Sequence, residues 1–228
     1  MATQFVLSEK PELNSPRLIA GFGGWLDGGE AATGTVRYLV RRLGAKRIGD
    51  LPAAQAQAFY TFQLPGIEAA RPHVKLEDGV IADMRAPRND LFCWTQEGGP
   101  DLLFLLGAEP HLRWADYVEG VVELARQFGV VRLYSTGGVL GGVPHTREVA
   151  VSTIVSAASL KQELAGYAVR YSNYEGPATF QSYLVHAFGR AGLEAIHFTA
   201  RALYYPEFNV AFARDPKAIL GILRRLKG

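Results

Sequence analysis

A chain of 228 residues, 48% hydrophobic and 20% charged, is long enough for one large core, and no Ser/Pro/Gly-rich linker or like-charge run divides it. Its 24 basic and 22 acidic side chains nearly cancel, which excludes whole-molecule attraction to nucleic acid or to an anionic membrane. The single cysteine, Cys93, excludes an internal disulfide and a paired-cysteine zinc site, and it fits a reducing compartment.

The first nine residues lack a basic segment followed by a long apolar one. No run approaches the roughly 18 apolar residues of a membrane span, so the sequence predicts a soluble cytoplasmic protein. A first strand is predicted over 17–22. A helix follows over about 30–43, with Ala32, Val36, Leu39, Val40 and Leu43 on one face, and Gly44 stands where a helix usually ends.

From about 46 to 95 the pattern changes to proline-bearing turns and short β-like stretches at 74–77, 80–84 and 91–95, with a hairpin turn at Asp78-Gly79. This reads as an antiparallel excursion inside one domain spanning 1–228. The predicted strand 101–106, continuously apolar after Asp101, then suits a strand buried on both faces. A helix over about 113–128 buries Trp114, Tyr117, Val118, Val121, Ala125 and Phe128, and a central strand over 130–134 comes directly after it.

Glu175-Gly-Pro177 opens a further predicted helix, with Phe180, Tyr183, Leu184, Ala187 and Phe188 as its buried stripe. A strand near 195–203 follows. Asp215-Pro216 then starts a C-terminal helix that buries Ile219, Ile222, Leu223 and Leu226. Strands alternating with amphipathic helices predict an α/β fold, with a largely parallel sheet covered on both faces.

In open parallel sheets, ligands bind beyond the carboxyl ends of the strands, where loops converge and helix N-termini present free N–H groups. Three glycine-rich stretches fall there: 21–29, 107–111, and 135–138 continuing into 141–147. Gly23 and Gly24 would let the backbone come close to a ligand. Asp27 either caps the next helix or accepts hydrogen bonds from a ligand. Glu109 either binds a hydroxyl, acts as a base, or pairs with Arg113.

His145 and Arg147 can hold an anion, or else pair with Glu148 or a neighbouring subunit. Glu175 either serves the helix start or joins the same pocket. The ligand-binding candidates are therefore Gly23, Gly24, Asp27, Glu109, His145, Arg147 and Glu175, with no catalytic residue assigned. Phe59, Tyr60, Phe62, Tyr204 and Tyr205 are candidates for core or for an interface.

Several chemistries lack their residues. Leu26 stands where a dinucleotide fingerprint needs its third glycine, and no Gly-Lys-Ser/Thr closes a phosphate loop. His73, His111, His145, His186 and His197 are scattered without ligand spacing, so no metal is predicted, nor any other cofactor. The Gly-x-Ser-x-Gly elbow is absent as well.

The segments Gly21-Phe-Gly-Gly-Trp-Leu-Asp-Gly-Gly-Glu-Ala-Ala32, Leu105-Leu-Gly-Ala-Glu-Pro-His-Leu-Arg-Trp114, Val143-Pro-His-Thr-Arg147, Tyr174-Glu-Gly-Pro177 and Asn209 to Leu226 occur here in one order. From about Leu18 onward the chain resembles the bacterial branch of the proteasome assembly chaperone 2 family. That resemblance implies a three-layer α/β/α domain, similar to purine nucleoside phosphorylases and related hydrolases, and usually a homo-oligomer. Archaeal and eukaryotic relatives help to assemble proteasome core particles, whereas bacterial relatives mostly have no established activity.

The final residues, Arg224-Arg-Leu-Lys-Gly228, lack the penultimate tyrosine with which assembly factors of this group engage proteasome subunits. Tail docking is therefore not expected. Two functional readings follow: a non-catalytic oligomeric binding or assembly protein with a protein partner, or a binder or hydrolase/phosphorylase-like enzyme for a small molecule in a strand-end pocket.

Overall fold

The computed structural model describes residues 5–61, 71–142, 144–205, 210–211 and 214–226. In chain order the strands are β1 (Val6–Leu7), β2 (Arg17–Gly23), β3 (Lys46–Asp50), β4 (His73–Glu77), β5 (Val80–Arg85), β6 (Asp90–Trp94), β7 (Leu102–Ala108), β8 (Arg132–Gly141), β9 (Val151–Val155), β10 (Val169–Tyr171), β11 (Glu194–Tyr205) and β12 (Val210–Ala211). The helices are α1 (Ala31–Leu43), α2 (Ala53–Ala56), α3 (Trp114–Gln127), α4 (Leu160–Glu163), α5 (Phe180–Arg190) and α6 (Pro216–Leu226).

Four parallel neighbours, β7, β2, β8 and β11, form the centre of the sheet. Outward from β7 come β6, β3 and β1, each antiparallel to its inner neighbour. On the other side β9 runs antiparallel to β11, and β10 lies parallel to β9. The expected α/β architecture with a mostly parallel central sheet is present.

Side-chain alternation decides how the layers pack. Along β2, Leu18, Ala20 and Phe22 enter one apolar cluster with α3 and α5, while Ile19 enters the other with α1, α4 and α6. In β7 the same rule sends Leu103 and Leu105 one way and Phe104 the other. A strand buried on both faces must be apolar at every position, which is why 102–106 reads as an unbroken run. The first cluster is aromatic at its centre: Phe22 meets Phe180 edge-on at 5.1 Å and Tyr117 at 6.2 Å.

The hairpin at Asp78-Gly79 joins β4 and β5, with φ of 49° and 80° at its two central residues, and it forms a two-stranded sheet of its own. The expected helix beginning at Glu175 is corrected. That helix begins at Phe180, because Thr179 caps it: Ser182 N–H donates to Thr179 Oγ1 at 3.1 Å, and Thr179 N–H donates to Ser182 Oγ at 2.9 Å. β9, α4 and β10 carry too few periodic residues to announce themselves in the sequence.

The expected loops after the central strands are also corrected. β2 reaches Gly23, β7 reaches Ala108 and β8 reaches Gly141, so residues 135–138 lie inside a strand. The glycines there serve packing. Gly138 N–H donates to Leu26 O at 2.7 Å, and a Cβ on Gly138 would stand 2.4 Å from Gly28 O. Among the described residues, no helix is long and apolar enough to cross a membrane.

Candidate functional site at the carboxyl ends of the parallel strands

The segment after β2 is held at both ends by carboxylates. Asp27 Oδ1 accepts hydrogen bonds from the N–H groups of Ala32 at 2.9 Å and Thr33 at 3.0 Å, and its Oδ2 accepts from Thr33 Oγ1 at 2.7 Å. Those are orphan donors of the first turn of α1, so Asp27 caps the helix from across a tight turn in which Gly29 and Glu30 take φ of 65° and 50°. Burial pushes the Asp27 carboxyl above its ordinary range, and the Thr33 and Ala32 hydrogen bonds offset part of that rise.

At the other end, Glu109 N–H donates to Gly23 O at 2.8 Å. Its Oε2 accepts from Gln181 Nε2 at 3.3 Å, and the backbone N–H groups of Trp25 and Leu26 lie near enough to favour the charged carboxylate. Burial raises the Glu109 pKa, and those three donors hold it back. A Cβ on Gly24 would lie 2.6 Å from Glu109 Cβ, so glycine at 24 is what admits Glu109. Gln181 is fully buried, and its Oε1 has no hydrogen-bond partner among the described atoms.

Gly23, Gly24 and Glu109 therefore meet at one edge, while the Asp27 carboxylate turns to α1. Arg147 lines a separate cleft of about 180 Å³ with Lys217, Arg224 and Arg225 beside α6. The His145 carbonyl accepts from Lys217 Nζ. Glu175 is exposed in the segment ahead of Thr179. The alternative pairing of Glu109 with Arg113 is corrected, since Arg113 Nε binds Asp116 Oδ2 at 2.6 Å. Glu148 likewise pairs with Arg224, at 3.6 Å, where a pairing with Arg147 was the alternative.

Trp25 projects from this segment with 84% of its surface exposed, while its neighbour Leu26 is buried. Phe59 and Tyr60 are core. Phe62, Val143, Asn209, the Tyr205 side chain and the final two residues, Lys227 and Gly228, lie outside the described residues.

Two polar clusters had no signal in the sequence. Asn89 is fully buried beneath the strand ends: its Nδ2 donates to Tyr60 Oη at 2.9 Å, and its Oδ1 accepts from Tyr117 Oη at 3.0 Å. Tyr60 Oη donates to Ala108 O at 2.9 Å. His197, also buried, places Nδ1 3.1 Å from Ser135 Oγ and Nε2 2.7 Å from Thr199 Oγ1. Burial lowers its pKa to about 4, so the ring is neutral at pH 7. Among the described residues, no group of three or more His, Cys, Asp or Glu side chains is placed to hold a metal ion.

The model of the PAC2 family matches residues 21–228. Among solved structures, a PAC2 family protein from Streptomyces avermitilis is 31% identical, with a TM-score of 0.77 over 93% of this chain and 84% of that one. A proteasome-assembly chaperone homologue from Mycobacterium tuberculosis is 27% identical, with a TM-score of 0.79 over 92% and 84% of the two chains. An archaeal proteasome activator from Pyrococcus furiosus, 17% identical with a TM-score of 0.71 over 99% and 88%, shares the fold. No curated protein matches the chain.

Proposed function

Because the chain belongs to the PAC2 family, we propose that it is a cytoplasmic, non-catalytic assembly protein, homo-oligomeric, that binds a protein partner at the carboxyl edge of its parallel strands. The observation that carries this reading is Trp25: a large aromatic side chain, 84% exposed, on a segment pinned by the Asp27 cap and the Glu109 bonds. An exposed aromatic on an ordered backbone is the kind of anchor that protein interfaces bury, at little conformational cost. The Mycobacterium relative, described as a proteasome-assembly chaperone homologue, supports an assembly role.

The test compares wild-type and Trp25→Glu chains as baits in extracts of the native host. A protein retained in stoichiometric amount by the wild type and lost from the variant supports the reading. No enriched protein, or equal enrichment by both baits, overturns it.

A second reading, a small polar ligand at the Gly23, Gly24 and Glu109 edge, is favoured by the unpartnered Gln181 Oε1, because a buried acceptor without a donor costs about 1–3 kcal/mol. A thermal-shift screen with nucleosides, nucleotides, phosphate and sugars tests it. A compound that raises the melting temperature of the wild type but not of Glu109→Gln supports the site, and a flat screen removes it.

A further inference from the structure

Along α6, Lys217, Gly221, Arg224 and Arg225 follow the i, i+4, i+7, i+8 spacing that sets residues on one face of a helix. The turn 144–147 lies against that face. Arg147 N–H donates to Pro144 O at 3.0 Å to close the turn, and the His145 carbonyl accepts from Lys217 Nζ. Glycine at 221 lets the chain after the turn come close, since a Cβ there would stand 3.3 Å from Val149 Cγ1. Between turn and helix lies the cleft of about 180 Å³, with Arg147, Lys217, Arg224 and Arg225 as its cations and Glu148 as its one carboxylate. The cleft nets +3, whereas the whole chain nets +2.

The partners of these cations leave most of that charge uncompensated. Arg225 donates from Nε to Tyr167 O at 3.1 Å and from its two terminal nitrogens to Gly221 O at 2.9 Å and Ala168 O at 3.1 Å. Those carbonyls are neutral, so they fix the guanidinium without cancelling its charge. Lys217 likewise has the neutral His145 carbonyl. The Arg147 side chain has no hydrogen-bond or ion-pair partner among the described residues. Only Arg224 faces a carboxylate, Glu148, at 3.6 Å, which is beyond hydrogen-bond reach. The Glu148 side chain is 91% exposed, and a surface pair of that kind contributes little. Burial, and then the neighbouring Arg224, push the Arg225 pKa down, with Glu148 offsetting part of the fall, as cations crowded together without enough negative charge require.

We infer that this cleft binds a phosphoryl anion, held at its mouth by Arg147 and Arg224 and beneath by the fixed charges of Arg225 and Lys217. Chemistry and size both favour that ligand. A guanidinium fork matches two oxygens of a phosphate, and charge-assisted bonds of this type are about twice as strong as neutral ones. Arg225 uses three of its five N–H donors on carbonyls and keeps the others. At about 30 Å³ per water, the cleft has room for roughly six water molecules, which suits a phosphate or diphosphate and is too small for a polypeptide segment. The arriving anion displaces Glu148 from Arg224. The site shares no residue with the edge that carries Trp25 and Glu109, so it stands or falls apart from the proposed function.

Isothermal titration calorimetry of the full chain with inorganic pyrophosphate, inorganic phosphate and a nucleoside diphosphate, all at one ionic strength, tests the site. Pyrophosphate is expected to bind saturably at one site per chain, and phosphate more weakly. Arg147→Gln and Arg224→Gln each weaken pyrophosphate about tenfold or more, the loss of a hydrogen bond to a charged group. Glu148→Gln removes the competing carboxylate and tightens pyrophosphate about two- to fivefold. All three positions are exposed, and circular dichroism checks that each variant is folded. Should an arginine variant fail to fold, Glu148→Gln still reads the site through its opposite sign.

A nucleoside diphosphate that only matches pyrophosphate assigns the site to free phosphoryl anions, and one that binds more tightly assigns it to an organic phosphate; either supports the cleft. No saturable binding by any of the three overturns it. Pyrophosphate binding that stays unchanged in Arg147→Gln and in Glu148→Gln overturns it as well, because the anion then sits elsewhere on the chain.

Discussion

The carboxylate of Asp27 binds Thr33 twice, taking its backbone N–H on Oδ1 and its hydroxyl on Oδ2. This bond fixes where α1 starts. Asp27→Ala frees the N–H groups of Ala32 and Thr33 in a part-buried place, and it is expected to cost about 1–2 kcal/mol of unfolding free energy. Asp27→Asn keeps an acceptor and costs less. Urea denaturation checks both, and an unchanged midpoint for Asp27→Ala would mean that the cap contributes nothing.

Glu109 gives a pH signature. Burial raises its folded pKa above the ordinary carboxylate value, so the folded state binds the proton more tightly than the unfolded chain does. Its contribution to stability is then fully present below the unfolded pKa and is lost as pH rises through the folded one. Glu109→Gln stays neutral throughout, and its added N–H₂ can donate to Gln181 Oε1. The variant is therefore expected to gain on the wild type between pH 4 and pH 7 in chemical denaturation. A difference independent of pH would remove Glu109 as a buried titrating group.

The opposite sign belongs to His197. Its folded pKa of about 4 lies below the unfolded value of 6.5, so the unfolded chain takes up the proton first as pH falls. The stability it supplies is present above pH 6.5 and is lost toward pH 4, by ~3 kcal/mol over that window at 1.36 kcal/mol per unit. Denaturation at pH 7 and pH 4.5 reads the loss in the wild type, and His197→Gln should show a smaller one. Equal losses in the two chains would place the pH dependence elsewhere.

Much of the sheet was legible because burial on both faces forces continuous apolarity, as in Leu103-Phe-Leu105, and because Asp78-Gly79 supplies the positive φ values that its turn needs. The family resemblance was legible from ordered motifs, and the family match confirms it. The candidate site was less so. Asp27 and Glu109 stood out as carboxylates at strand ends, but their partners Thr33 and Gln181 come from other turns and elements, and sequence distance hides such pairs. Asn89 was invisible for the same reason, since its tyrosine partners lie 29 and 28 residues away. Gly23 and Gly24 were read as ligand clearance, yet at Gly24 a Cβ would stand 2.6 Å from Glu109 Cβ, and at Gly107 it would stand 2.1 Å from Asn89 Oδ1, so the close neighbour at both is the protein itself.

That reinterpretation separates two glycines of the same strand. At Gly138 a Cβ meets Gly28 O at 2.4 Å and the Ala31 side chain at 2.6 Å, and one of these neighbours is backbone in the turn that Asp27 organises. At Gly141 the nearest atoms are those of Arg201 at 3.8 Å, an ordinary contact. Gly138→Ala is expected to cost about 1–3 kcal/mol by forcing β8 away from the 24–29 segment, while Gly141→Ala stays close to wild type. Thermal or urea denaturation of the pair measures the contrast. If glycine served instead to admit a ligand, Gly138→Ala would leave stability unchanged and abolish ligand-induced stabilisation, an outcome the thermal-shift screen records directly.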